Sequence, residues 1–322
     1  MDQLRAMKVF ATVVEEGGFA KAARALDAAP PVITRLVAEL ESHLGARLLN
    51  RTTRSIALTE VGEAYLEKVR SILIDIEEAE ALASEATTEP RGHVRILCPP
   101  AVAVHQLAKH LPRFRDAHPH VTVEIAAPGP VETLDEAYDL TIISARGDLQ
   151  GDFVARRLAR SEVIACASPE YLDRRGRPTH PSELAGHDAL MPPLSEMQRG
   201  LTFINGIWGD DEPGGETYTV AMPGRPVLGT THIDTMYAAA LAGMGVAGLP
   251  SFVLEDALLE HALERVLPSW RLFNVTLWAA MPSRKHLPAR TRVFMDFLLQ
   301  VFGGEDRDPW LAAAGCETPR AP

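Results

Sequence analysis

The order of signals in the first 58 residues constrains this chain more than any other feature. Leu4, Met7, Phe10, Val13 and Val14 recur at helical spacing, and Glu16-Gly17-Gly18 ends that run. Phe19 to Leu26 reads as a compact second helix with small residues on one face. After a short turn, Pro30-Pro31 opens a third helix, because a proline's missing N–H costs nothing in a first turn. Ile33, Leu36, Val37, Leu40 and Leu44 form its apolar stripe; Thr34, Arg35, Ala38 and Glu41 point elsewhere, and Gly45 stops it. Two short runs follow, Arg47–Arg51 and Ser55–Leu58, with Thr52-Thr53-Arg54 between them like the tip of a two-stranded wing. The third helix of such a module fits a major groove about 12 Å wide. Arg51 and Arg54 can then meet phosphates or an adjacent minor groove. The competing reading is an ordinary three-helix module with solvated arginines.

Charge tests that expectation. The 322 residues carry a net charge of -11, which argues against a generally basic nucleic-acid coat. The balance is uneven: residues 1–60 sum to +1 and the remainder to -12, and Ser42 to Thr59 holds three arginines and no acid. A local basic patch is enough, because phosphate attraction is screened within about 10 Å. Hydrophobic residues at 46% and charged residues at 23% exclude disordered and fibrous classes. Cys98, Cys166 and Cys316 share no short spacing, so neither a disulfide framework nor a zinc module is expected, and a reducing compartment fits.

From Phe10 to Leu66 the residues resemble the winged helix-turn-helix of LysR-type transcriptional regulators. Ala22-Ala23-Arg24-Ala25-Leu26, Arg35, Leu40-Glu41, Leu44-Gly45, Leu48, Arg51, Leu58-Thr59 and Gly62 stand in register with that family's pattern. The resemblance continues at lower specificity through residue 302. It implies an α/β chain with an all-α-type winged helix-turn-helix N-terminal domain and a two-lobed, periplasmic-binding-protein-like effector domain. The expected partition is residues 1–58 for DNA binding, 59–90 for a linker helix and hinge, 91–302 for the effector domain and 303–322 for a loose tail. The expected DNA contacts are Lys21, Pro30, Pro31, Thr34, Arg35, Arg51, Thr52 and Arg54. Two departures stand out. Gly18 replaces the family's hydroxyl at the start of the second helix, and Ala29-Pro30 replaces the Ser-Gln that opens the recognition helix. A Gln there can read adenine with a discrimination of about 1–3 kcal/mol. Pro30 cannot, which shifts the expected readout to apolar contact, Thr34, Arg35 and DNA shape.

Residues 59–88 read as one long helix, with Thr59 as its cap and Glu60 and Glu63 at its positive end. A heptad register places Gly62, Val69, Ile76 and Ala83 at one core position and Leu58, Tyr65, Ile72, Ala79 and Ala86 at the other. The alternative is a helix packed on its own domain. The resemblance implies homodimers or homotetramers, which suits paired recognition helices about one duplex turn apart.

Beyond the Pro/Gly hinge at residues 89–92, Val94–Cys98, Val121–Ala126 and Leu140–Ser144 read as strands. A helix through Leu107, Leu111 and Phe114 and a short one at Leu134–Ala137 separate them, giving β-α-β-α-β and a parallel sheet. Val163–Ala167, Val246–Leu249 and Val275–Ala280 supply further strands, and Arg290–Phe302 a final helix. The resemblance implies one lobe of about 93–164 plus 268–302 and a second of about 165–267. Ligands in such folds sit beyond the carboxyl ends of strands, which nominates Pro100, Ala101, Ser144, Thr230, Thr231 and His232 as contacts to a small-molecule effector. The loop at Pro99-Pro100-Ala101 has no hydroxyl and lacks two N–H donors, so the polar work falls to Ser144, Thr230, Thr231 and His232.

Other signals point nowhere further. The spaced glycines of Gly243–Gly248 follow a helix and precede a strand, the reverse of a dinucleotide site, and read as a tight turn. His105, His110, His118 and His120 lack the cysteines or clustered carboxylates of a metal site, so neither metal nor cofactor is expected. Cys98 and Cys166 close strand runs and read as buried thiols with a redox role as the alternative. Thr235–Leu254 lacks charge but is broken by glycines and Pro250, so no membrane span is expected. Met1–Ala20 is not a secretory signal. The expectation is a cytoplasmic, effector-responsive regulator of double-stranded DNA and not an enzyme. An enzyme, or a solute-binding protein that never touches DNA, on the same two-lobed fold is the alternative.

Overall fold

The apolar stripes of the first 44 residues pack against one another. The computed structural model describes residues 2–51, 56–83, 90–151, 153–193, 200–205, 216–221, 226–282, 287–304 and 308–316, with further side chains in 51–83 left out. It divides into two units, Met1–Glu89 and Pro90–Pro322. In the first, α1 (Gln3–Glu15), α2 (Phe19–Ala25) and α3 (Pro30–Leu44) precede the hairpin of β1 (Leu49–Arg51) and β2 (Ile56–Leu58), and α4 (Glu60–Ala83) follows. Phe10, Ile33, Val37, Leu40, Leu48 and Val69 are fully buried in one cluster. Each such side chain contributes about 1.5–3 kcal/mol. Asp2 caps α1 by accepting from the Arg5 N–H at 3.1 Å. Gly18 and Ala29 stand at the caps of α2 and α3 without a side-chain hydrogen bond. Gly45 ends α3 in the left-handed region, at φ 64°.

The long helix departs from the heptad expectation over its first turns. A side chain at Gly62 would lie 2.1 Å from the Leu48 carbonyl oxygen, so Gly62 is a close-approach glycine, not a coiled-coil core residue. Val69 is buried within its own domain, and Tyr65 stacks near Phe10 with ring centroids 5.9 Å apart. The register fails here because the hairpin and α1 compete for the same face and win by proximity. Further along, Ile72 is exposed. The side chain of Ala79 and residues 84–89, including Ala86, lie outside the described set.

In the second unit the strands are β3 (Gly92–Leu97), β4 (Val121–Ala126), β5 (Leu140–Ala145), β6 (Phe153–Ala167), β7 (Ala189–Met191), β8 (Leu201–Asn205), β9 (Thr217–Val220), β10 (Leu228–Gly229), β11 (Val246–Pro250), β12 (Glu264–Val266), β13 (Trp270–Arg271) and β14 (Phe273–Pro282). The helices are α5 (Pro100–Val102), a π-helical turn at Ala103–Leu107, α6 (Ala108–Ala117), α7 (Pro169–Arg175), α8 (Ile233–Leu241), α9 (Ser251–Leu259), α10 (Ala289–Phe302) and α11 (Pro309–Ala313). The main sheet runs β10-β7-β11-β6-β14-β5-β3-β4, with β12 also on β6. At one end β3 pairs parallel with β4 and β5; at the other β7 pairs parallel with β10 and β11. Antiparallel β6 and β14 join the two parallel sets. β6 alternates at first and is then buried on both faces from Ser161 to Ala167, as expected of a strand covered by helices on each side. A separate antiparallel sheet, β13-β8-β9, lies off this path.

Two sequence expectations change. Leu134–Ala137 is a turn, not a helix: the Asp135 carboxylate accepts from the Ala137 N–H at 2.9 Å and so competes with a helical bond. Near the expected lobe boundary at about 164, the single 15-residue strand β6 changes partners, from β14 over Phe153–Val163 to β11 over Val163–Cys166. The tail is not loose where described. Trp310 and Leu311 are buried, and Asp308, 1% exposed, caps α11 through the Trp310 and Leu311 N–H groups. Its second oxygen accepts from the Glu162 N–H at 2.7 Å and from the Ser251 hydroxyl. Short segments rich in Gly and Asp show little periodicity, so a docked clasp of this kind carries no signal in sequence.

Candidate functional site

α3 presents two unlike faces. Ile33, Leu36, Val37 and Leu40 are buried, whereas Pro30, Pro31, Arg35 and Ala38 are exposed and Thr34 is half-buried. The Arg35 side chain is 70% exposed and its Nε lies 3.6 Å from Glu39 Oε1. An exposed pair of this spacing is worth about 0.3–0.5 kcal/mol, so the guanidinium can exchange Glu39 for a phosphate or a base. The Thr34 hydroxyl donates to the Pro30 carbonyl at 3.1 Å, which leaves the oxygen as an acceptor. Lys21 is exposed on α2, and Arg51 ends β1. Thr52 and Arg54 lie outside the described residues.

One residue that stands off the apolar stripe of α3 does structural work. Glu41 Oε1 accepts from the backbone N–H groups of Leu48 at 2.8 Å and Leu49 at 3.1 Å, rooting the wing on the recognition helix. Thr59 completes the joint: its hydroxyl donates to the Arg47 carbonyl at 2.7 Å and accepts from the Gly62 N–H at 2.9 Å. An acid on the polar face of an amphipathic helix looks solvated until the chain folds back over it.

The second unit contains a cavity of about 290 Å³. Its wall comes from β6 (Val163, Ala165), β7, β8 (Leu201, Phe203), β11, β14 (Phe273, Val275) and the first turn of α8, with Ser144 at the carboxyl end of β5. Met191 and Thr231, at the ends of β7 and β10, also line it. The cavity therefore lies at the carboxyl ends of β5, β7 and β10, where the two parallel sets meet. His187 and Asp188 occupy one side, already engaged. The Tyr171 hydroxyl lies 3.3 Å from His187 Nδ1 and donates to Asp188 Oδ2 at 3.2 Å, and Arg175 Nε is 3.7 Å from the same oxygen. Burial and the Arg175 charge hold the His187 imidazole below its ordinary range. Beside the cavity, the Arg146 guanidinium lies 3.3 Å from the centroid of the Phe273 ring.

The structure separates the nominated effector residues. Ser144 and Thr231 line the cavity; Pro100, Ala101, Thr230 and His232 do not. Ala101 is buried in the core cluster of β3, α6 and α10, and Pro100 begins α5. His232, 59% exposed, caps α8 by accepting from the Thr235 N–H at 3.2 Å, and Thr230 accepts from the His232 N–H at 3.0 Å. These groups satisfy the chain's own backbone. The apolar wall, led by Leu201, Phe203, Leu272 and Phe273, was not nominated, since apolar residues in strands read as core.

Burial pushes the Cys98 and Cys166 thiols up to about 12, far from the thiolate character a redox sensor needs. Among the described residues no group of three His, Cys, Asp or Glu is placed to hold a metal ion, and no helix is long and apolar enough to cross a membrane.

Comparison with known proteins agrees with this geometry. The family described as the LysR substrate binding domain matches residues 87–303, and the bacterial regulatory helix-turn-helix protein, lysR family, matches residues 4–63. The chain is 30% identical over 300 residues to an uncharacterized HTH-type transcriptional regulator of Haemophilus influenzae, covering 92% of this chain and 100% of that one. It is 30% identical over 305 residues to the HTH-type transcriptional regulator CrgA of Neisseria meningitidis, covering 92% and 96%. The solved structure of CrgA, a LysR-type regulator, shares 28% identity with a TM-score of 0.54 and covers 93% of this chain and 98% of that one. With both domains matched across most of its length, the chain belongs to the LysR-type transcriptional regulators, as a helix-turn-helix DNA-binding domain joined to an effector-binding domain.

Proposed function

We propose that this regulator reads double-stranded DNA with the exposed face of α3 and the wing, through Lys21, Pro30, Pro31, Thr34, Arg35, Arg51, Thr52 and Arg54. The observation that carries the reading is the open polar face of α3, with Arg35 paired to Glu39 alone among the described residues, beside a wing rooted through Glu41. It acts in the cytoplasm as a homodimer or homotetramer, and exposed Ile72 and Val61 on α4 support contact between copies. A small molecule in the cavity favours one arrangement of the effector domain over another and so changes the fit of the paired readers to DNA. Its apparent affinity for DNA then depends on the ligand only as far as that ligand binds one arrangement better.

A duplex taken from the DNA preceding this chain's own gene, set against a random duplex across a salt series, tests the reading. The expected result is preferential binding that weakens steeply with salt. Equal affinity for both duplexes overturns it.

A further inference from the structure

We propose that the cavity takes a hydrophobic ring compound about the size of two fused rings, carrying one hydrogen-bonding group that Ser144 and Thr231 hold. This rests on the reading of the cavity as the effector site. Size gives the first argument. An apolar cavity of about 150 Å³ holds a benzene ring, and this one measures about 290 Å³.

Chemistry gives the second. Leu201, Phe203, Leu272, Phe273, Ile233 and Met236 stand in the wall. Of its polar side chains, His187 through Nδ1 and Asp188 through Oδ2 are engaged by Tyr171 and Arg175. Ser144 and Thr231 carry hydroxyls in the wall that no side chain or backbone group engages among the described residues. A sugar, an amino acid or a dicarboxylate would bury several polar groups against this surface with too few partners, which is strongly unfavourable. A single hydroxyl or carboxylate is satisfied by the two free hydroxyls. The Arg146 guanidinium, stacked on the Phe273 wall two residues beyond Ser144, adds a positive charge on that side and so tolerates an anion.

The test uses the full chain with 2-naphthol, 2-naphthoate, naphthalene, succinate and L-glutamate, read by calorimetry and thermal shift. The expected result is binding of the naphthyl probes with a negative heat-capacity change and no binding of succinate or glutamate at tenfold higher concentration. Ala165→Leu, which fills the cavity from β6, is expected to weaken naphthyl binding at least tenfold. The double variant Ser144→Ala/Thr231→Val is expected to weaken 2-naphthol and 2-naphthoate at least fivefold while leaving naphthalene unchanged. It keeps the test independent of whether Ala165→Leu folds. Binding of succinate or glutamate in place of the naphthyl probes overturns the proposal, as does unchanged probe affinity in the double variant. DNA binding is followed in parallel. Preferential DNA binding without naphthyl binding sinks this inference alone, whereas naphthyl binding that leaves DNA affinity untouched sinks the effector reading.

Discussion

The proposed reading face of the first unit draws on Lys21 to Arg54, a single stretch of chain, whereas the cavity of the second draws its wall from Ser144 to Val275. The two also differ in what their polar groups do. On α3, Arg35 faces solvent with one weak partner. In the cavity wall His187 and Asp188 answer Tyr171, while Ser144 and Thr231 keep their hydroxyls for a ligand; just outside it His232 caps α8 and Thr230 supports His232. A surface that must exchange partners with DNA is left open. A cavity that must hold its shape is walled mostly by apolar side chains, and selectivity falls to shape, apolar area and two hydroxyls.

The sharpest way to break this contrast is at Gly62. A valine there must displace the Leu48 carbonyl, 2.1 Å from where its Cβ would sit, and Leu48 roots the wing. Gly62→Val is expected to destabilise the first unit by about 3 kcal/mol or more and to abolish DNA binding, while naphthyl probe binding persists. Survival of the first unit's melting transition would show that the close approach is soft.

Asp308 tests the rigidity of the second unit. Burial pushes its carboxyl up to about 7 against the donors that pull it down. A raised folded-state value means the group favours folding most below the unfolded value, near 4, and loses that contribution as pH rises through about 7. The stability difference between this chain and Asp308→Asn, measured by denaturant melts from pH 4 to 8, is expected to change by on the order of 2–4 kcal/mol across that range. A flat difference would mean the carboxylate stays ionised among its donors. Asp308→Ala is expected to cost about 2–3 kcal/mol, because the buried Glu162 N–H and Ser251 hydroxyl lose their acceptor.

Arg35→Ala is expected to weaken DNA binding by about 1–3 kcal/mol with no change in melting temperature, since the residue supports nothing else. An equal loss on all sequences marks a phosphate contact; a loss confined to the preferred duplex marks a base contact. Smallest of all are the caps. Ala29→Ser is expected to stabilise α3 by about 1 kcal/mol, and His232→Ala to cost about the same, without altering naphthyl affinity. A marked loss of ligand from His232→Ala would return that residue to the effector site.

The first unit was largely legible because its information is local. The stripe Ile33, Leu36, Val37, Leu40 is spaced at a helical period and is buried as that period requires. The wing runs pair in the register Leu49 to Leu58. Gly62 was misread and the role of Glu41 missed for one shared reason: each meets Leu48 only after the chain folds back on α3. The cavity was half legible. Strand ends nominated Ser144 and Thr231, which line the cavity, and by the same rule Ala101, which the packing of α5 turns into the core.

Helical periodicity, the basic hairpin and the alternation of strands with helices were decided by the residues themselves, because hydrophobic spacing acts over one or two turns. Which glycine admits a carbonyl, which histidine caps a helix, where the tail docks and which apolar strands leave a hollow between them were decided only by folding. Those outcomes depend on contacts between residues far apart in the chain, such as Asp308 with Glu162 and Ser144 with the wall from β8 and β14. No local pattern encodes such contacts.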